Sequence, residues 1–490
     1  MTRRRTSLDL SGVLVRQVLL CGVIALTACA APAAPSGTGP ASSHAEAAMP
    51  ATVTPKPGTP ATSRATQLRA SGYVEQEFFL RAQARGYAPD GEWHRDGQWH
   101  ARTRTAPQPV ATRLLVRRPA DPSRFNGTVV VEWLNTTIGY DLDGGWLLTR
   151  DELMREGYAW VGVSAEAEGI AFLQQADAQR YASLAIPHND LAFDVYSDAA
   201  RAIRAHSAEM LGLTRPAPAL KLIGMGYSQS AVFLYTYVDA FQPRDHAFDG
   251  FFMHGAAPAS APVEPDQSHV FAPRIRPDLD VPVMQLQTEM EVMVSWPLSS
   301  TPDTDRVRYW EVAGAAHLNQ HMQRELGPIA LPALKPSRDL SCFRPRNTLP
   351  LNLVDQAALH GLRTWITQGT PPPIAPRMQR NALGFVRNDE WGNAEGGIRL
   401  PQLTVPTAHY GMYSNFSTSS FSMRDMYACI AGGSTVPFDA ATMARLYPTR
   451  EAYVKRFRGA AQALEKAGFL RPADVDPMVE QAASDSRLPD

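Results

Sequence analysis

In Lys221-Leu222-Ile223-Gly224-Met225-Gly226-Tyr227-Ser228-Gln229-Ser230-Ala231-Val232-Phe233-Leu234 an apolar run meets a serine between small residues, and a second apolar run follows. Lys221–Gly226 has the length and content of a buried strand, and Ala231–Ala240 continues as a helical run. Strand, tight turn and helix together are the setting of a nucleophile elbow, where a strained turn pushes a serine out at the top of a sheet. The turn demands small residues two before and two after the serine. Gly226 meets this fully, whereas Ser230 stands where G-x-S-x-G has its second glycine, an imperfect match with a residue that is still small. Taken alone the pattern is weak, because serines between small residues are common in loops. The strand before it and the helix after it carry the inference.

Working outward, short β-branched runs alternate with helical patterns. Val110–Arg118 and Thr128–Trp133 read as strands joined by the turn Arg124-Phe125-Asn126-Gly127, and Tyr158–Ser164 reads as a third. Gly144–Glu156 is expected to be a helix. So is Asp190–Leu211, with Leu191, Val195, Ala199 and Ile203 at four-residue spacing. Gly250–His254, Val281–Gln287 and Arg306–Val312 add further short strands. This alternation predicts an α/β fold with a mostly parallel central sheet, helices on both faces and loop-rich insertions. Pro328–Pro350 and Pro371–Phe438 are the loop-rich parts, and Arg450–Gly468 is a closing amphipathic helix.

A serine hydroxyl is a poor nucleophile until a base takes its proton, and the base needs an anion to orient it. Downstream of Ser228 the strand Val281–Gln287 runs into Thr288-Glu289-Met290-Glu291, and Arg306–Val312 runs into Ala313-Gly314-Ala315-Ala316-His317. Serine, acid and histidine thus follow one another in chain order, each just past a strand's C-terminal end, where open α/β sheets bind ligands. Glu291 is the preferred acid, being farther into the loop, and Glu289 is the alternative. The oxyanion hole is expected to use the Gln229 amide and a donor in Leu134-Asn135-Thr136, with Asn135 as the nearest candidate.

The chain has 490 residues, 44% of them hydrophobic, which excludes global disorder. With 47 basic and 48 acidic side chains it carries no electrostatic footprint for nucleic acid. The front end is different. Arg3, Arg4 and Arg5, the apolar Val18–Leu26 and the tetrad Leu26-Thr27-Ala28-Cys29 describe a signal peptide over residues 1–28. The tetrad resembles a lipobox, in which Cys29 is acylated and becomes the first mature residue; cleavage at Ala28-Cys29-Ala30 without acylation is the alternative. Residues 29–65, proline-rich and free of aromatics, are expected to be a disordered tether, with a single domain over 66–490. Expected localisation is therefore the periplasm or cell envelope, otherwise secretion, with membrane contact only through the lipid. Cys342 and Cys429 are expected to pair in an oxidising compartment, a link worth about 4 kcal/mol in the chain-entropy picture, with two separately buried thiols as the alternative.

Together these residues resemble the α/β-hydrolase superfamily. More narrowly, the chain resembles a mostly uncharacterised, often exported bacterial α/β-hydrolase-domain family. Thr112–Pro119, Phe125–Asn135, Gly157–Ser164, Arg180–Leu184, Gly226–Ser230, Thr288–Val292, Trp310–His317 and Gly468–Leu470 carry the likeness from about Tyr73 to the C-terminus. It implies the fold and catalysis by Ser228, an acid and His317, and it implies no particular substrate. Carboxylic esters, small or polymeric, are the expected substrates through an acyl-enzyme, with amides second; no cofactor is expected.

Other readings carry less. His317-Leu318-Asn319-Gln320-His321 has the two-histidine spacing of a zinc helix, but Leu318 stands where HExxH has glutamate and no third ligand is nominated. Asp141-Leu142-Asp143-Gly144 hints at a calcium loop without the ligand series, and reads better as a turn with a helix N-cap. A non-catalytic envelope binding protein on a hydrolase scaffold remains a separate class. Tyr410, Tyr413, Phe416 and Phe421 are lid candidates or packing residues.

Overall fold

The computed structural model describes residues 51–217, 219–295, 301–326, 344–414 and 429–489. Two compact units divide the chain at Ala47/Ala48. The first, with the expected signal segment and Cys29, lies outside the described residues.

Strands β1 (Thr52–Lys56), β2 (Tyr73–Ala84), β3 (Tyr87–Pro89), β4 (Ala101–Thr103), β5 (Gln108–Pro119), β6 (Thr128–Trp133), β7 (Ala159–Val163), β8 (Lys221–Tyr227), β9 (Gly250–His254), β10 (Val283–Thr288) and β11 (Val307–Val312) precede two short strands, β12 (Ala408–Gly411) and β13 (Ser434–Pro437). A nine-stranded sheet has the order β1-β2-β5-β7-β6-β8-β9-β10-β11. From β7 to β11 every pairing is parallel, while β1, β2 and β5 add an antiparallel edge. This is the mostly parallel sheet that the alternation of strands and helices predicts.

Side chains alternate across the parallel strands. Val129, Val131, Leu222, Phe251 and Val283 enter one apolar cluster, with Phe193, Val195 and Ile203 of the helix Ala192–Ala205. Val130, Ile223, Met225, Phe252 and Met284 enter the other, with Leu147 and Leu153 of the helix Gly144–Glu156 and Leu359 and Leu362 of the helix Leu351–Gln368. With both faces covered, the parallel strands are buried except at Lys221, where β8 begins, and at about 25 cal/mol per Å² of apolar surface this burial is the main driving term for the fold.

Two expectations are corrected. Residues 52–56, inside the stretch expected to be a disordered tether, form β1, which pairs antiparallel with β2 from Thr52↔Arg81 to Lys56↔Glu77. Pro55 is tolerated because β1 is the edge strand, where one side of the ladder has no partner. Farther along, Arg64 is buried in an ion pair with Asp143, Nε to Oδ2 2.8 Å. The long helix expected over 190–211 is divided at His206 into Ala192–Ala205 and Ser207–Leu211, after a 3-10 turn at Asn189–Leu191. The closing helix runs over Arg450–Lys466 as expected, and a further one follows at Pro472–Ala483. Among the described residues no helix is long and apolar enough to cross a membrane.

Candidate active site

Ser228 joins β8 to the helix Gln229–Thr236 with φ +59° and ψ −120°, a left-handed conformation that L-residues rarely adopt. The turn is held from three sides. The Ser228 amide donates to the His254 carbonyl at the end of β9, 2.9 Å, and the Ser228 carbonyl accepts from Ala231 and Val232. A Cβ on Gly226 would lie 2.8 Å from backbone atoms of Ser230 and Ala231, so only glycine fits there. Ser230, the departure from the two-glycine pattern, has its own use: its hydroxyl accepts from the Tyr227 amide and donates to the Tyr227 carbonyl, each at 2.9 Å. The serine staples the turn that a glycine would merely permit.

His317 leaves the end of β11 through a turn in which Gly314 has φ +69°. Its Nε2 lies 2.8 Å from Ser228 Oγ and its Nδ1 2.7 Å from Glu291 Oε1. Glu291 is also bonded by the Thr288 amide, 2.9 Å, and hydroxyl, 2.5 Å, both on Oε2. Burial alone would raise the Glu291 carboxyl, but His317 beside it and the bonds from His317 and Thr288 bring it down to about 2. An ionised carboxylate only accepts, so Nδ1 of His317 carries a proton and Nε2 presents its lone pair to the serine hydroxyl.

The two candidate acids have separate partners. Both lie on the helix Glu289–Ser295, two residues apart, and positions i and i+2 do not share a helix face. Glu291 faces His317. Glu289 instead accepts the Gly314 amide, 2.8 Å, bracing the turn that leads to the histidine, and burial pushes its carboxyl up to about 7.

Asn135 is not placed as a backbone donor. Its amide is committed to the Leu142 carbonyl, 3.0 Å, in an isolated β-bridge, and its side chain donates to the Tyr227 carbonyl, 2.8 Å. The neighbouring Thr136 amide makes a longer contact, 3.3 Å, with Oε1 of Gln229. The residue that follows Ser228 and the loop after β6 therefore meet at Thr136, one position beyond Asn135.

Several residues around the centre carry no signal of their own in the sequence. Tyr227 bonds the His317 carbonyl through its hydroxyl, 2.7 Å, and its ring stacks on the imidazole. His254, at a strand end like His317, pairs through Nδ1 with buried Asp355, 2.5 Å, from a helix lying between the two loop-rich stretches. Glu166 accepts from Trp133, Thr136 and Gln229.

The alternative metal readings find different partners. Both nitrogens of His317 are engaged as above, and Nε2 of His321 bonds the Leu147 carbonyl, 3.1 Å. In the one metal-like group among the described residues, Glu152, Glu156 and His360, the two glutamates are already paired with Arg155 and Arg471 and His360 with Glu152. Asp141 pairs with Arg113, and Asp143 with Arg64 and Arg117. Asp143 occupies the N-cap position of the helix Gly144–Glu156 without capping it. Glu132 takes that part, accepting the Gly145 and Trp146 amides.

Cys429 is buried and disulfide-bonded, while Cys342, its expected partner, lies outside the described residues. Of the lid candidates, Tyr410 is buried and Tyr413 exposed, and Phe416 and Phe421 lie outside the described residues.

A model of the family described as alpha/beta hydrolase domain matches residues 39–480. Among solved structures, the esterase Est22 aligns at 13% identity with a TM-score of 0.23, over 38% of this chain and 45% of its own. A fungal esterase from Rhizomucor miehei aligns at 12% and 0.28, over 56% and 88%. The rice cell wall degrading esterase LipA from Xanthomonas oryzae aligns at 12% and 0.23, over 43% and 50%. The chain thus spans about half the length of two of these three structures. No curated protein matches the chain.

Proposed function

The chain belongs to the alpha/beta hydrolase domain family, and from that membership we propose that it is a serine hydrolase cleaving carboxylic esters through an acyl-enzyme. The observation that carries the reading is the unbroken contact chain from Ser228 Oγ through His317 to Glu291, at 2.8 and 2.7 Å. Ser228 attacks the acyl carbonyl while His317 Nε2 takes its proton. The imidazolium, held by Glu291, then returns that proton to the leaving alkoxide. Water repeats the sequence on the acyl-enzyme and frees the acid.

Charge develops on the carbonyl oxygen as the tetrahedral adduct forms. The amide of Gln229, first in its helix, and the amide of Thr136 are the two donors for it, each worth roughly 3 kcal/mol in the transition state. Esters are favoured over amides because the leaving alcohol asks less of the acid step. The arginine-led apolar stretch within residues 1–28 and the lipobox-like Cys29 support a periplasmic or cell-envelope location with a lipid anchor, otherwise secretion.

Fluorophosphonate labelling of the mature protein, with mass mapping of the modified peptide, tests the reading. The expected result is one adduct on Ser228 that is lost in His317→Ala. A folded protein with no adduct at any serine overturns it in favour of a non-catalytic binding protein.

A further inference from the structure

Glu166 lies between β7 and the helix Ala167–Ala176, outside the contact chain from serine to acid, and is 2% exposed. A carboxyl group this deep is costly to bury and is kept only where its bonds are used. Its partners are three residues on two segments, the end of β6 with the loop beyond it and the start of the helix after Ser228. Oε1 accepts from the indole of Trp133 at the end of β6, 2.9 Å. Oε2 accepts from the Thr136 hydroxyl in the loop beyond β6, 3.1 Å, and from Nε2 of Gln229 at the start of the helix after the nucleophile, 2.7 Å. The Gln229 side chain then turns its Oε1 back to the Thr136 amide, 3.3 Å. Thr136 and Gln229 are thus locked to one another twice, once directly and once through the same carboxyl oxygen.

We propose that Glu166 is a positioning residue for the oxyanion hole, cross-linking through the Gln229 side chain and the Thr136 hydroxyl the two loops whose amides receive the developing charge. This rests on the serine-hydrolase reading above and adds a residue to it. The Thr136 amide is held in place at rest by a long bond to a neutral acceptor. An oxyanion is a charged acceptor and takes that amide with a stronger bond. The Gln229 side chain need not leave, since Nε2 keeps its hold on Glu166. The two segments that carry these amides are therefore fixed to one another before substrate arrives, and such preorganisation is the condition under which donors of this kind accelerate a reaction. Burial pushes the Glu166 carboxyl up to about 8 against the pull of its donors. The link survives either protonation state, because the Thr136 hydroxyl donates to a carboxylate and accepts from the acid.

The test compares wild type with Glu166→Gln, Glu166→Ala and Thr136→Val, the last keeping the backbone amide while removing the hydroxyl strut. Active sites are counted by fluorophosphonate titration at Ser228, and p-nitrophenyl butyrate turnover is expressed per titrated site. Inhibition by an aryl trifluoromethyl ketone, whose serine adduct carries the oxyanion, is measured in parallel. Expected for Glu166→Gln is a kcat lower by about 10- to 100-fold with KM within about threefold, and ketone inhibition weakened by the same factor. Thr136→Val should move both quantities together by a smaller factor. A role confined to stability would lower the melting temperature or the titratable fraction and leave kcat per titrated site and ketone inhibition unchanged. That result overturns the proposal. Wild type that fails to titrate at Ser228 overturns the serine-hydrolase reading, and the proposal with it; a titrating wild type with unchanged variants overturns the proposal alone.

Discussion

The ring of Tyr227 stacks on the ring of His317, 5.1 Å between centroids and 22° between planes, and its hydroxyl donates to the His317 carbonyl at 2.7 Å. Tyr227 thus holds His317 from its face and from its backbone. Tyr227→Phe keeps the ring and removes the hydroxyl from a buried carbonyl. We expect a stability loss of about 1–2 kcal/mol in urea denaturation. Turnover should fall by no more than about tenfold, since the stacked ring still orients the imidazole. A loss of activity comparable to that of His317→Ala would assign the hydroxyl a part in the chemistry.

Ser228 is one of four non-glycine residues with positive φ among the described residues, and its φ of +59° with ψ of −120° is a backbone that suits glycine far better than an L-residue. Ser228→Ala and Ser228→Gly should both abolish turnover. Thermal melts should separate them, with the glycine variant more stable than the alanine variant by about 1 kcal/mol, part of the 1–3 kcal/mol such a conformation stores. An alanine variant as stable as the glycine one would mean that the elbow is unstrained.

Glu291 and Glu289 should behave in opposite ways. Glu291→Gln is expected to cut kcat by about 10³- to 10⁴-fold, because an amide no longer fixes the imidazole tautomer. Glu289→Gln should stay within about tenfold of wild type. Their pH dependences also differ in sign. The Glu291 carboxyl is depressed in the fold, so its contribution is present above its unfolded value near 4.3 and is lost as pH falls toward 2. The stability advantage of wild type over Glu291→Gln should therefore shrink on acidification through that window. Burial raises Glu289 to about 7, so its contribution is complete below its unfolded value and is lost as pH rises through 7. Glu289→Gln, which mimics the protonated acid, should gain on wild type as pH rises from about 4.3 to about 7 and hold that gain above it. Urea midpoints across a pH series would show both trends.

Two glycines make a matched pair. Gly226→Ala places a methyl 2.8 Å from backbone that has nowhere to go, and should cost more than about 2 kcal/mol and suppress labelling of Ser228. Gly459, exposed in the helix Arg450–Lys466, has nothing within 4 Å of the same position. Gly459→Ala should raise stability by about 0.5–1 kcal/mol through helix propensity alone, with activity unchanged. Melting curves of the two variants suffice.

The parallel strands and the elbow were legible because their signals are local. Lys221–Tyr227 is a continuous apolar run, Gly226 is the small residue the turn requires, and Glu291 and His317 each follow a strand of the same kind. Other elements give weaker local signals. β1 contains Pro55 and reads as linker until β2 is beside it, since an edge strand needs a neighbour on one side only. The helix Leu351–Gln368 does have apolar residues three and four apart, at Leu351, Val354, Ala358, Leu359, Leu362 and Trp365, but it lies between loop-rich stretches that mask it.

By itself the sequence determined the fold class and the order of serine, acid and histidine, because periodicity and turn chemistry are properties of neighbouring residues. Tertiary structure alone decided which glutamate meets His317, that the Asn135 amide is taken by Leu142 while the Thr136 amide meets Gln229, and that Glu166 joins Trp133, Thr136 and Gln229. These are matters of helical phase and of how a fixed number of donors is shared among acceptors distant in the chain. Hydrogen bonding falls off within fractions of an ångström, so one residue's difference in position separates an amide held by Leu142 from one that meets Gln229.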